Sequence, residues 1–281
     1  MKLASFIVDG RPSYGVVDPE ARTVTDLGAA WGRLPTLRDA IAAEAFAQPP
    51  EAATAHSFDA IVFDLPIPNP GKVALVGKNY ADHVAEGADA TLPTRPGLFF
   101  RALNTLVPHL GPILKPINSD GSLDFEGELA VIVGRRGRCV PKHEALRHVF
   151  GYTCFNDGSE RRFQYDLQVI VGKNFASTGG FGPWIATADE IPDPSKLTLV
   201  SRVNGTEMQR SGTDKMIFDV PTVLSYISDF NPLEPGDVIS TGTPQGVGRA
   251  RNPPVWLKPG DTVEVEISGI GTLRNPVEAE A

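Results

Sequence analysis

The chain is 281 residues long, 41% hydrophobic, and carries a formal net charge of −8 with acidic and basic residues interleaved. It therefore has material for a large buried core and no basic run suited to nucleic acid or an anionic membrane surface, which leaves a small molecule as the expected partner. No apolar stretch approaches the roughly 20 residues a spanning helix requires, and residues 1–12 reach a charged turn too early for a signal-peptide core, so a cytoplasmic location is expected. The two cysteines, Cys139 and Cys154, belong to no CxxC or Cys/His cluster, which argues against zinc and against a disulfide scaffold; both read as buried thiols. Glycine (28) and proline (25) punctuate short apolar runs throughout, which predicts a sheet-rich chain with many turns and few long helices.

In chain order, residues 3–8 and 13–18 are short β-type runs flanking the turn Asp9-Gly10-Arg11-Pro12, which predicts an opening hairpin. Residues 37–47 are alanine-rich and helix-prone; Pro49-Pro50 and a polar stretch then break the pattern. Pro66-Ile67-Pro68-Asn69-Pro70 closes this module, placing a boundary near residue 68 between a small N-terminal domain (1–68) and a larger domain (69–281). Strands are predicted over 73–76, 129–133 and 197–203, and a helix over 143–150. Residues 81–96, small, polar and Pro-containing, suit a mobile loop. A helix over 220–228 presents Val223, Leu224 and Ile227 on one face, with Pro221 in its first turn. Val263, Val265 and Ile267 alternate with polar residues as in a half-buried strand.

Four clusters could carry chemistry. In Asp124-Phe125-Glu126-Gly127-Glu128, leading into an apolar strand, the period of two puts Glu126 and Glu128 on one face. Two such carboxylates are either a solvated strand end or oxygen ligands for a hard cation such as Mg²⁺ or Mn²⁺. Asp157, ending the run Gly151–Asp157, is either a turn aspartate or a third ligand. His83 and Glu86 are three residues apart and would meet on a helical face, either as an exposed ion pair or as an imidazole–carboxylate base. Residues 241–248, Thr-Gly-Thr-Pro-Gln-Gly-Val-Gly, lack the spacing of a nucleotide loop and suit a rigid turn offering backbone amides and a hydroxyl to a carboxylate; residues 178–183 are also predicted to be a turn.

With these clusters in this order, residues 72–277 resemble the fumarylacetoacetate hydrolase family. The resemblance is carried by Gly77-x-Asn79-Tyr80-x-x-His83, Glu126-x-Glu128, Asn156-Asp157, Gly172-Lys173, Val203-Asn204-Gly205, Met216-Ile217-Phe218 and the 241–248 segment. It implies a mixed α/β, β-rich fold: a rolled mixed β-sheet catalytic domain, a small N-terminal α+β domain, and a homodimer. It further implies Glu126, Glu128 and Asp157 as ligands of Mg²⁺ or Mn²⁺, His83 and Glu86 as the pair that activates water, and Lys173 as a donor to substrate oxygens. Arg161 and Gln164 match rim residues and Thr243 a substrate-carboxylate contact. Arg101 stands, as a further substrate-binding candidate, where many members carry lysine.

The expected activity is metal-dependent hydrolysis of a C–C bond in a 2,4-dioxo acid, of acylpyruvate or fumarylpyruvate type, through a metal-stabilised enolate. The alternatives are decarboxylation of an oxaloacetate-type 2-oxo acid and isomerisation of an unsaturated 2-oxo dioic acid.

Overall fold

The computed structural model describes residues 1–47, 50, 52–87, 90–166 and 168–281. The N-terminal part supplies strands β1 (Lys2–Val8), β2 (Arg11–Asp18), β3 (Thr23–Asp26), β4 (Ala55–Ser57) and β5 (Val62–Phe63), with helices α1 (Leu27–Trp31) and α2 (Leu37–Ala42). Then come β6 (Val73–Gly77), α3 (Ala81–Ala85), β7 (Gly97–Phe100), β8 (Leu106–Val107), β9 (Ile113–Lys115), β10 (Leu123–Asp124), β11 (Gly127–Val133), β12 (Val149–Asn156) and β13 (Ser159–Glu160). The remainder is α4 (Arg161–Asp166), α5 (Val169–Lys173), β14 (Gly179–Thr187), β15 (Thr198–Val203), β16 (Thr206–Gly212), α6 (Val220–Ser228), β17 (Val238–Ser240), β18 (Thr262–Ile267) and β19 (Gly271–Ala279).

A 12-stranded mixed sheet runs β4-β3-β2-β1-β14-β12-β11-β17-β6-β7, with β5 on β1 and β8 on β14; a five-stranded sheet runs β16-β15-β18-β19-β9. The expected β-rich, mixed α/β architecture is present. The opening hairpin forms because Asp9 and Gly10 both take positive φ, the two-residue turn whose twist matches antiparallel strands, and Val8 then pairs with Arg11. The segment before residue 68 is continuous with the large sheet, since β1 pairs antiparallel with β14.

β11 is buried along its whole length, and its period of two divides the core. Leu129, Val131 and Val133 pack with Val223, Leu224 and Ile227 of α6 and with Val265 and Ile267 of β18; Ala130 and Ile132 pack on the other face with Leu37, Ala40 and Ile41 of α2. Each Val, Leu or Ile side chain among them contributes about 1.5–3 kcal/mol by leaving water, so the strand that leads into the acidic cluster is held from both sides. α6 begins where expected, its N-cap Asp219 accepting from Thr222 N–H at 2.9 Å.

Several expectations are corrected. Residues 178–183 are not a turn: 179–183 open the buried strand β14, where glycines admit close neighbours, and a Cβ on Gly180 would meet Asn275 Oδ1 at 2.5 Å. The helix expected over 143–150 is a 3₁₀ helix, Lys142–His148, which β12 interrupts. Residues 37–47 form α2 and a short 3₁₀ turn in place of one helix. Cys139 is exposed, while Cys154 is buried as expected, its thiol pushed up to about 12 by burial. The expected mobile loop begins as helix α3; its residues 88–89, like Pro49 of the Pro49-Pro50 break, lie outside the described residues. Among the described residues no helix is long and apolar enough to cross a membrane.

Candidate active site

The β11–β12 ladder assembles the acidic cluster. Gly127 pairs with Asn156, and Asp157 N–H donates to Glu126 O at 2.8 Å, so Glu126 and Asp157 face each other across the end of the ladder. Glu128, two residues on, shares the face of Glu126. One carboxylate oxygen from each of Glu126, Glu128 and Asp157 lies within 4.8 Å of the others, and all three residues are buried.

Their charges are balanced unevenly. Lys173 Nζ, at the end of α5, lies 2.6 Å from Glu126 Oε2 and 2.5 Å from Asp157 Oδ2. Gly172 brings α5 this close, because a Cβ there would meet Glu160 O at 2.6 Å. Arg161 spans Asp124 Oδ2 at 2.8 Å and Glu126 Oε1 at 2.5 Å. Arg101 Nε donates to Asp157 Oδ1 at 2.8 Å, and its Nη2 to Gly158 O. Glu128, in contrast, accepts from the Ser240 hydroxyl at 2.5 Å and from Gly242 N–H at 3.0 Å, with no cation paired to it among the described residues. Burial, then the charges of Asp157 and Glu126, raise the Glu128 carboxyl well above the usual carboxylate range. For Glu126, burial opposes ionisation, but Lys173 and Arg161 outweigh it and hold the carboxyl well below that range.

With all four ionised, the buried carboxylates Asp124, Glu126, Glu128 and Asp157 face three paired cations, Arg101, Arg161 and Lys173, leaving one negative charge uncompensated. Converging carboxylate oxygens with a charge deficit fit a hard divalent cation such as Mg²⁺ or Mn²⁺ better than a thiophilic one.

His83 projects from α3 and is buried; its Nδ1 lies 2.8 Å from Glu86 Oε2, and Glu86 Oε1 accepts from Gly246 N–H at 2.6 Å. A carboxylate at Nδ1 favours the tautomer with its proton there, which leaves Nε2 with a lone pair. His83 and the three carboxylates line one cavity of about 540 Å³, together with Arg161, Gln164, Lys173 and Thr243.

The structure therefore brings together nearly all the expected residues. Glu86 reaches the cavity through His83. Arg161 is 2% exposed, beneath the cavity and not on its rim, because it is ion-paired to Asp124 and Glu126; its Nη1 donates to Gln164 Oε1 at 2.8 Å. Arg101 lies behind Asp157 and outside the cavity lining, where it holds a carboxylate of the cluster. The 241–248 segment does present amides to carboxylates, but to those of the chain itself: Glu128, Glu86 and Asp124. Thr243 Oγ1 donates to Gly127 O at 2.9 Å.

Sequence reasoning gave Asp124 no role. Fully buried, it accepts from Arg161 and from Gly248 N–H at 2.7 Å and Arg249 N–H at 3.1 Å, tying the glycine-rich segment to the cluster. Its signal was present, since Asp124, Glu126 and Glu128 alternate into the strand.

Residues 72–278 match the family described as fumarylacetoacetate (FAA) hydrolase C-terminal. Oxaloacetate tautomerase YisK of Bacillus subtilis (strain 168) is 39% identical over 226 residues, 79% of this chain and 75% of that one. 2,4-Didehydro-3-deoxy-L-rhamnonate hydrolase of Sphingomonas sp. (strain SKA58) is 37% identical over 281 residues, 99% and 96% of the two. Among solved structures, fumarylacetoacetate hydrolase from Exiguobacterium antarcticum superposes with a TM-score of 0.89 at 37% identity, covering 100% of both chains. Maleylpyruvate hydrolase from Sphingobium sp. SYK-6, in complex with manganese(II) ion and pyruvate, gives 0.82 at 26% identity, again covering 100% of both. The family match spans most of the chain, and relatives above 30% identity extend over two thirds or more of it: the chain belongs to the fumarylacetoacetate hydrolase family.

Proposed function

We propose that the protein hydrolyses the C3–C4 bond of a 2,4-dioxo acid with the help of a divalent cation, Mg²⁺ or Mn²⁺, held by Glu126, Glu128 and Asp157. The observation that carries this reading is the shared cavity: a buried carboxylate trio and a His83–Glu86 pair line or reach the same space. The solved relative in complex with manganese(II) ion and pyruvate supports a divalent cation and a 2-oxo acid as ligands.

When bound, the cation supplies Lewis-acid polarisation of the 2-oxo group and takes up part of the charge that develops on it. His83 Nε2, its ring fixed by Glu86, removes a proton from water, and the oxygen adds to C4. The C3–C4 bond then breaks, its electron pair passing to C3 and the 2-oxo oxygen, and protonation of C3 from His83 gives pyruvate and a carboxylic acid. Lys173, anchored by Glu126 and Asp157, places a positive donor where oxyanion charge develops. Lys78, Arg95 and Arg249 also line the cavity, and none of them has an ion-pair partner among the described residues. Three uncommitted cations favour a substrate with a second carboxylate, the fumarylpyruvate type over a monoanionic acylpyruvate with an uncharged acyl group. The homodimer, the cytoplasmic location and the domain division near residue 68 belong to the same proposal, on the family resemblance and the composition.

A second reading is chemistry on oxaloacetate, decarboxylation or tautomerisation, supported by relatives named oxaloacetate tautomerase. The two readings differ in their need for activated water. His83→Ala and Glu86→Ala are expected to slow hydrolysis of a 2,4-dioxo acid by about 10²–10⁴-fold, with Mn²⁺ affinity within a few-fold of the parent. Turnover of oxaloacetate is expected to survive better. Steady-state rates on both substrates at saturating Mg²⁺ check this, and parental hydrolysis by His83→Ala would overturn the hydrolase reading.

A further inference from the structure

We infer that Gln209, on the outer strand β16 of the five-stranded sheet, is a positioning residue for the carboxylate cluster; this rests on the metal reading above and not on the reaction type. Gln209 is 1% exposed and uses every hydrogen-bonding position of its amide. Oε1 accepts from Gly127 N–H at 2.9 Å and from Ser201 Oγ at 2.8 Å, and Nε2 donates to Thr243 Oγ1 and Pro244 O, each at 2.8 Å. Four satisfied bonds also fix which end of the amide is oxygen.

The need for this side chain follows from the strand it serves. Gly127 pairs with β12 on one edge, whereas β17 pairs with β11 only along Ala130, Val131 and Ile132. Among the described residues the Gly127 amide therefore has no strand partner on its other edge, and Gln209 stands in for one. Thr243 Oγ1 in turn donates to Gly127 O, so Gln209, Thr243 and Gly127 close a ring of hydrogen bonds. Gly127 is the residue between Glu126 and Glu128, and the segment gripped by Gln209 carries the Gly242 amide that holds Glu128 Oε2. A shift of either side of the ring moves a carboxylate of the cluster. Neighbours that orient the donors of a metal site typically change its affinity by about 10–100-fold when lost.

The test is calorimetric titration of the full chain with Mn²⁺, well below the melting temperature, for Gln209→Met, Gln209→Glu and Ser201→Ala. Gln209→Met loses all four bonds and is expected to bind Mn²⁺ about 10–100-fold more weakly. Gln209→Glu keeps an acceptor for Gly127 but has no donor for Thr243 and Pro244, so its loss is expected to be smaller yet clear; it carries the test should the methionine variant fail to melt cooperatively. Ser201→Ala removes a bond to the same amide outside the ring and is expected to stay within about threefold of the parent. Parental Mn²⁺ affinity in folded Gln209 variants, or an equal loss in Ser201→Ala, would overturn the positioning role alone. A parent chain that binds no Mn²⁺ would overturn the metal reading and this inference with it.

Discussion

Glu126 and Asp157 share the Lys173 ammonium, whereas Glu128 has only a hydroxyl and an amide. Without metal, burial and the like charges of Asp157 and Glu126 favour the protonated Glu128 carboxyl, and a glutamine mimics that neutral form while still accepting from Ser240 and Gly242. Neutralising Glu126 leaves Lys173 and Arg161 short of a partner, and breaking a buried pair costs about 3–5 kcal/mol. We therefore expect Glu128→Gln to melt at or above the parental temperature in chelator and Glu126→Gln well below it, while both variants, and Asp157→Asn, lose Mn²⁺ affinity. Full activity after exhaustive chelation, or equal metal-free destabilisation by the two glutamine variants, contradicts this assignment. At this scale the sequence was readable where partners are local: the period of two paired Glu126 with Glu128, and a spacing of three paired His83 with Glu86. Asp157 needed the β11–β12 register, and Gln209 comes from a different sheet, 82 residues from the amide it serves, so no local pattern could place it.

Among the elements, we propose that α3, which carries His83 into the cavity, acts as a lid that orders when ligand binds. It has five residues, too few for a helix to be stable alone, and the buried Val84, the Tyr80–Met216 bridge and the Glu86–Gly246 hydrogen bond hold it in place. Its hold on the site thus passes through the carboxylate that orients His83. Binding of oxalate with Mg²⁺ beside His83 is expected to raise amide protection across residues 81–87 relative to the ligand-free chain. Unchanged hydrogen exchange in that segment would mean that α3 is a fixed wall and not a lid. Elements with strong periodicity were legible from sequence, β18 by its alternation and α6 by its apolar stripe and N-terminal proline. β14 was not. Its glycines answer to packing, with Gly179 against Arg101 and Gly180 against Asn275, and tertiary crowding leaves the same residue types as a turn does.

At the scale of the whole molecule, the N-terminal strands and the C-terminal sheet meet around His109, in the connection after β8. Its ring stands edge-on to Phe63 of β5, with centroids 5.2 Å apart, and its Nδ1 accepts from Arg274 N–H of β19 at 3.1 Å. Protonation would convert that acceptor into a donor facing another donor, beside the Arg274 guanidinium. Burial first, and the Arg274 charge second, lower the His109 pKa from 6.5 to about 4. Because the folded value lies below the unfolded one, the unfolded chain takes up the proton first. The contribution of His109 to stability is then complete above pH 6.5, declines as pH falls from about 6.5 to about 4, and changes no further below that. A difference of this size corresponds to roughly 3 kcal/mol. His109→Asn keeps an acceptor toward the Arg274 amide and does not titrate, though it gives up the ring contact with Phe63, worth about 0.5–1.5 kcal/mol. The variant is expected to be slightly less stable than the parent at pH 7.5 but to lose less on going to pH 4.5, so that the two stability curves converge or cross. Urea unfolding at both pH values measures this, and parallel curves for parent and variant would show that the junction at His109 is not what acid weakens.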